Sequence, residues 1–293
     1  MKHTDNTNRP PQKSVNQIVT ERIIQSLSAG EIPWRQPWCN PIIEDTVNYI
    51  TRRPYDMLNK MLLGKPGEYL TFEQIKKKKG HLKKGSKAKH IRTHFPVVPD
   101  SNKDEVKRLE DLGQDAGHLK KWIPKIIPVF SLDDTEGLKS LFIKNETKKA
   151  QNPTAMAKYV MNKFLADNKI KIDEKNCSEC SYSPETRTIT IPKKEQFLTE
   201  EEWYGTIYSQ MVAVKEQEGS KTEDSPVLLD LISEMASSMI LCGVNLERIE
   251  SIQNTNAICT KWIRELGNDF KLLITASKRA EATAIEMLAG LAK

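Results

Sequence analysis

The sequence predicts an α+β protein of two domains. Three observations carry that expectation. The chain has 293 residues, about twice the length of one domain at ~150 residues each. Its first half interleaves strand-period and helix-period segments, and its second half, after one hairpin, reads as four successive helices. Charge divides at the same place. Residues 1–145 carry 26 Lys and Arg against 17 Asp and Glu, a net +9, whereas residues 146–293 carry 19 against 22, a net −3. A polyanionic partner therefore belongs to the first half.

Residues 1–13 are polar and Pro-interrupted and read as a disordered leader without an apolar export signal. Ser14 is placed to cap a helix carrying Val15, Ile18, Val19, Ile23 and Leu27, which Gly30 stops. "EIPWRQPWCNP" alternates tryptophan and proline and predicts an extended, ordered loop. A helix over Pro54–Leu63, a strand near Tyr69–Thr71, a helix from Phe72 to about Lys79, and strands over "KAKHIRTHFPVV" and "IPKIIPVFSL" follow, with a charged excursion at 100–121 between the strands. The polar tract 144–153 is the expected linker, which gives domains at 14–143 and 154–293. Beyond it come a helix (Thr154–Ala166), a short strand (Lys169–Ile172), a hairpin through "CSYSPETRTITIP", and helices over Thr199–Gln217, Pro226–Leu241, Thr255–Leu266 and Asp269–Leu291.

No apolar run reaches the ~18 residues that cross a bilayer, so no membrane partner is expected. Five cysteines, scattered at 39, 177, 180, 242 and 259, suit a reducing cytoplasm better than a disulfide framework.

Catalytic options are few. The five histidines are His3, His81, His90, His94 and His118, so the C-terminal half lacks the commonest general base and metal ligand. His90 and His94 lie four residues apart in an expected strand, about 13 Å, too far to share one ion. Cys177 and Cys180 form a lone C-x-x-C, two ligands short of a structural zinc site. Neither G-x-x-x-x-G-K-[ST] nor G-x-G-x-x-G occurs. We expect no cofactor and no catalytic residue.

From Lys76 to Arg92 the chain holds nine basic residues and no acidic one. Such a run suits a solvated face as well as a phosphate grip, and the charges by themselves leave both readings open.

Motifs move that balance. "IPWRQPW", "NYITRRPYDMLN", "TFEQIKKKKGHLKKGSK" and "VFSLDDTEGL" occur in the order, and with much of the wording, of the ssDNA-binding domain of the ArdC antirestriction family, which the N-terminal half resembles. That domain also fronts the TraC-type primases of conjugative plasmids. Two family glycines are replaced, by Arg52 and Met57. The C-terminal half resembles the zincin-like metallopeptidase domain of the same family through "CSYSPETRTITIP", "WYGTIYSQMVA" and "LDLISE". There the two H-E-x-x-H histidines fall on Ser209 and Ala213, the glutamate base on Gln210, a third ligand on Asp230, and the following acid on Glu234.

The resemblance implies a single-stranded-DNA-binding domain followed by a mostly helical zincin-like domain with a small sheet and no working metal site. Expected DNA contacts are Trp34, Arg35, Trp38, Asn48, Tyr55, Asn59, Phe72, Lys76, Lys77, Lys83, Lys84, Lys87 and Lys89: lysines for phosphates, aromatics for bases, and Asn48 and Asn59 for positioning or local capping. Core packing competes for every aromatic and is the favoured reading for Tyr69 and Phe72. The expected function is a single-stranded-DNA-binding protein of a mobile genetic element, a conjugative plasmid or transposon, whose catalytically dead metallopeptidase-like half serves as scaffold or protein-partner surface. Residues 1–145 are expected to bind DNA without the rest. The alternatives are an antirestriction or host-defence-blocking interaction protein and a divergent metallopeptidase.

Overall fold

A computed structural model describes residues 13–36, 46–142, 152–219, 224–246 and 252–291. The expected leader (Lys13 apart), Trp38, and most of the linker lie outside the described residues.

Helix α1 (Val15–Ser28) starts where the sequence says. The Ser14 side chain accepts the Gln17 N–H, and Val19, Thr20, Ile23 and Leu27 form its buried stripe. Strand β1 (Thr46–Asn48) follows, then α2 (Met57–Leu63), β2 (Gly67–Leu70), α3 (Phe72–Lys77), β3 (His81–Leu82), β4 (Lys89–Val97), α4 (Lys103–Asp111), β5 (Lys121–Ser131) and β6 (Thr135–Glu136). Four strands form one sheet in the order β1-β2-β5-β4, with β1 and β2 parallel and the other pairs antiparallel. β3 and β6 make a separate antiparallel pair.

Helix α2 begins later than expected. Asp56 is its N-cap, while Pro54 instead bridges to Val47. Strand β1 and helix α4 carry little sequence signal: β1 has three residues, and α4 buries only Val106.

The second half comprises α5 (Pro153–Asn168), β7 (Lys171–Lys175), β8 (Ser181–Ser183), β9 (Thr188–Pro192), α6 (Glu200–Gly219), α7 (Pro226–Gly243), α8 (Ile252–Asn268) and α9 (Leu272–Leu288). Its sheet runs β7-β9-β8. Helix α7 has the length and apolarity of a membrane span, but 67% of it is buried inside the protein, where it packs against α6 and α9.

The two halves share a core. Val19, Ile23, Leu27, Ile32, Trp34, Met57, Leu58 and Met61 from the first half join one continuous cluster with residues of α5 to α9. Helix α1 packs against α8, and α2 against α9. The stripe on α1 is legible from its 3.6-residue period, but the surface that covers it is contributed by the C-terminal helices. An autonomous N-terminal half, expected from the charge split, would leave that stripe in water.

Candidate nucleic-acid interface

The lysine block is built on a short helix, a turn and the start of a strand. Thr71 and Gln74 form a capping box that opens α3. The helix closes through Lys79, at φ +61°, and the Gly80 N–H, which reaches back to the Ile75 carbonyl at 3.0 Å. A Cβ at Gly80 would stand 2.7 Å from Leu138 Cγ and 3.2 Å from the Glu136 carbonyl oxygen, so a larger residue there would displace the Leu138 side chain. Further on, the Ser86 N–H donates to the Lys83 carbonyl at 3.2 Å, and Gly85 takes φ +88°, as the third residue of a type II turn requires.

Lys76, Lys77, Lys78, Lys79, Lys83, Lys84, Lys87 and Lys89 are all exposed. Lys83 donates its Nζ to the Asp133 carbonyl at 2.7 Å. Among the described residues none of the eight is paired with a carboxylate, whereas Lys65, Lys103, Lys120, Lys163 and Lys194 are. Phe72 is 44% exposed, with the Lys76 ammonium 4.7 Å from its ring centroid. The expectation that Phe72 belongs to the core is corrected: it sits exposed at the first position of α3, where Ile75 is the buried residue.

The other expected contacts turn inward. Trp34 has no solvent exposure and lies in the shared core, so no ring face is open to a base. The Arg35 guanidinium reaches Glu234 on α7, its Nε at 3.0 Å, and is thereby directed away from phosphate. Asn59 is buried. Its Oδ1 accepts the Arg92 N–H at 2.7 Å and its Nδ2 donates to the Arg92 carbonyl at 2.9 Å, which is a strand-edge role. Tyr69 is fully buried; desolvation and the nearby Asp133 and Asp134 push its hydroxyl well above the ordinary tyrosine pKa. Tyr55 packs edge-on against it at 6.3 Å between centroids, and burial raises its pKa too.

Asn48 organises the site from behind. Its Oδ1 accepts the N–H groups of Ile50 (3.1 Å) and Thr51 (3.0 Å), and its Nδ2 donates to Gln74 Oε1 at 3.3 Å, tying this turn to the cap of α3. Sequence reasoning missed Gln74 as the other half of that tie. It also passed over Trp122 and Phe95, exposed on the outer part of the β4–β5 ribbon. The signal was present: Trp122 follows Lys120 and Lys121, and no acid occurs from Ala116 to Leu132.

On α6, Ser209, Gln210 and Ala213 are half-buried, while Ile207, Met211 and Val214 face the core. Zinc chemistry of the zincin type needs two imidazoles on one helix face and a carboxylate beside the metal-bound water. Serine, glutamine and alanine supply none of these. Asp230 pairs with Lys261 and Glu234 with Arg35. Among the described residues no group of three or more His, Cys, Asp or Glu side chains is placed to hold an ion. These residues do not fit zinc. Cys177 and Cys180 are free thiols, and burial and the neighbouring Cys177 push Cys180 upward in pKa.

A basic α+β module is thus fused through a common core to a mostly helical half with a small sheet. Residues 13–130 match the family described as the N-terminal domain of anti-restriction factor ArdC, and residues 159–279 match the zincin-like metallopeptidase family. By these matches the N-terminal half belongs to the family of ArdC N-terminal domains and the C-terminal half to the zincin-like metallopeptidase family. It is 26% identical over 216 residues to a DNA primase TraC of Escherichia coli, an alignment covering 68% of this chain and 14% of that protein. A second Escherichia coli DNA primase TraC is 26% identical over 218 residues, covering 67% and 19%. The chain therefore spans less than a fifth of these relatives. In fold it is similar to the crystal structures of antirestriction ArdC from the R388 plasmid. The metal-free form gives a TM-score of 0.63 at 22% identity and the Mn(II)-bound form 0.64 at 20%, each covering 96% of this chain and 98% of the other.

Proposed function

We propose that this chain is a cytoplasmic single-stranded-DNA-binding protein of a mobile genetic element, and that its zincin-like half is a scaffold or partner surface, not a working peptidase. The observation that carries the reading is the exposed lysine block, eight ammonium groups with no carboxylate partner among the described residues. Left unneutralised, such a cluster repels itself, and phosphates relieve that repulsion while releasing counterions. Phe72 supplies an open ring beside it. The interface reduces to Phe72, Lys76, Lys77, Lys83, Lys84, Lys87 and Lys89, with Asn48 and Gln74 as positioning residues. The ArdC-type match supports this placement.

A second reading, interference with host restriction through a protein contact, is favoured by the family's description as an anti-restriction factor. It would use the acidic C-terminal half, at a net −3.

Fluorescence-anisotropy titration of a labelled oligonucleotide at several salt concentrations separates the two. Four phosphate-contacting lysines predict a log K against log salt slope of about −3, at ~0.7 per contact for single strands. Replacing Lys83 and Lys84 by Ala should flatten it by about 1.4. An unchanged slope and affinity in that double variant would leave the block a solubilising surface.

A further inference from the structure

Beyond Asn59 the β4–β5 ribbon continues as a two-stranded arm, with Phe95 opposite Ile123, Pro96 opposite Trp122 and Val97 opposite Lys121. Directly opposed residues share a face, and faces alternate along each strand. One face of the arm thus presents Phe95, Ile123 and Val97 between Lys121 and Lys125. The other presents Trp122 flanked by the Pro96 and Pro124 rings. Trp122 is 62% exposed and Phe95 39%, with Val97 and Ile123 also open. The Lys125 ammonium stands 5.1 Å from the Phe95 ring centroid.

The inner part of the same ribbon is different. There Ile91 and Val129 are buried beneath Leu63 and Tyr69. Apolar side chains on the inner rungs have a core to fill, and those on the outer rungs have none. Clustered large apolar side chains in water mark a binding surface.

Charge selects the occupant. The two strands and their flanks, residues 74–99 and 116–132, contain no Asp or Glu. Lys121 and Lys125, like Lys87 and Lys89 at the arm's root, have no carboxylate partner among the described residues. Lysines interleaved with open aromatic rings match an unpaired nucleic-acid strand, whose phosphates meet ammonium groups and whose bases meet rings. An acidic protein surface would satisfy the lysines and leave the rings without a partner of their own kind. From Lys89 to Phe95 the strand rises about 20 Å at ~3.3 Å per residue, so one bound strand can run from the lysine turn onto the arm.

We propose that the outer β4–β5 arm is a second contact for single-stranded DNA, which lies along the face of Phe95, Lys121 and Lys125, with Phe95 as base-stacking platform and the two lysines as phosphate contacts, and folds over the arm's edge so that a further base stacks on Trp122 on the opposite face. This rests on the DNA-binding reading of the lysine block and extends its footprint.

The test uses the full chain and a labelled oligothymidylate, with Trp122→Ala, Phe95→Ala, and the pair Lys121→Ala and Lys125→Ala. All four side chains are exposed, and circular dichroism and thermal melting check that each variant folds. Trp122→Ala should weaken binding about 5- to 150-fold with the salt slope unchanged. Phe95→Ala should act in the same direction. The lysine pair should flatten the slope by about 1.4. A Trp122→Ala variant that binds like wild type while Lys83→Ala with Lys84→Ala weakens binding overturns the arm contact and leaves the lysine block standing. A wild-type protein without salt-dependent affinity for the oligonucleotide overturns both.

Discussion

Asn59 closes the open edge of β4 at Arg92. Residues of an edge strand alternately direct their N–H and C=O groups toward the partner strand and away from it. Arg92 directs both away from β5, and the Asn59 carboxamide meets them at 2.7 and 2.9 Å. The side chain does there what a fifth strand would do, which blunts the edge against pairing with another chain. Asn59→Ala removes both partners at once. It should cost about 2–3 kcal/mol, the penalty of stranding partly buried polar groups, and lower the melting temperature. The salt slope of DNA binding should stay as in wild type. A slope change without a stability change would return Asn59 to the DNA contacts.

That case shows what the sequence reveals and what it hides. The cap of α1, the start of α3 and the lysine block depend on neighbours within a few positions, and all were legible. The destinations of Trp34, Arg35 and Asn59 were not. Arg35 meets a partner 199 residues away, and Asn59 one 33 residues away, and a tryptophan among prolines has the same local pattern whether its loop lies on the surface or plugs a core. Helix α4 escaped because its charges dominate and only Val106 anchors it. That no histidine follows His118 is read from the sequence with no contact map.

Arg52, where the resembled family motif has glycine, takes the left-handed backbone that favours glycine, at φ +56°. The left-handed backbone costs about 1–2 kcal/mol for a residue with a Cβ. In return its guanidinium pairs with Glu68, whose side chain is 1% exposed, and lies 5.0 Å from the Phe142 ring centroid. Stranding a buried carboxylate costs about 3–5 kcal/mol, and the Leu141 N–H, 3.1 Å from both Glu68 oxygens, holds this one to the lower end. Arg52→Gly should therefore destabilise the protein by about 2 kcal/mol. In a Glu68→Gln background the sign should reverse, because only the backbone strain remains to be relieved. Chemical denaturation of the four proteins measures both steps, and equal effects in the two backgrounds would refute the coupling.

Arg35 and Glu234 join the first half to α7, with side chains 10% and 14% exposed. Arg35→Ala should lower stability by about 3 kcal/mol, as loss of one member of a buried pair does, and leave the salt slope of DNA binding unaltered. Neither wild type nor variant should retain stoichiometric zinc after dialysis against chelator, or hydrolyse peptides, because α6 offers Ser209, Gln210 and Ala213 where ligands and base are required. One tightly held zinc per chain by elemental analysis would contradict this.

Separating the halves should be costly. Cutting the chain within 143–151 removes the helices that cover Val19, Ile23, Leu27 and Trp34. The burial of each large side chain is worth about 1.5–3 kcal/mol, so four exceed the usual net stability margin of a domain at the lower end of about 5 kcal/mol. Residues 13–142 expressed alone should be aggregated or bind a hydrophobic dye, and co-expression with residues 152–293 should restore a soluble complex. A monomeric, cooperatively melting N-terminal fragment would show that the shared core is dispensable.

Glu281 on α9 sets a pH dependence. Its carboxylate accepts the Met57 N–H at 3.1 Å at the start of α2. Burial, and then the charge of Asp56, raise its pKa above the ordinary 4.5, outweighing the Met57 hydrogen bond and the attraction of Lys60. The folded chain therefore holds this proton more tightly than the unfolded chain. Between the ordinary value and the raised one the native state binds more protons, so stability falls as pH rises. The contribution is fully present below about pH 4.5 and is lost as pH passes the folded value. Glu281→Gln keeps an oxygen for the Met57 N–H and removes the buried charge. Its melting temperature relative to wild type should rise across that window and stay higher at neutral pH. Melting curves of both proteins at matched pH values decide it: a difference that is flat with pH, or that favours wild type at neutral pH, would mean that the charged carboxylate itself stabilises the start of α2.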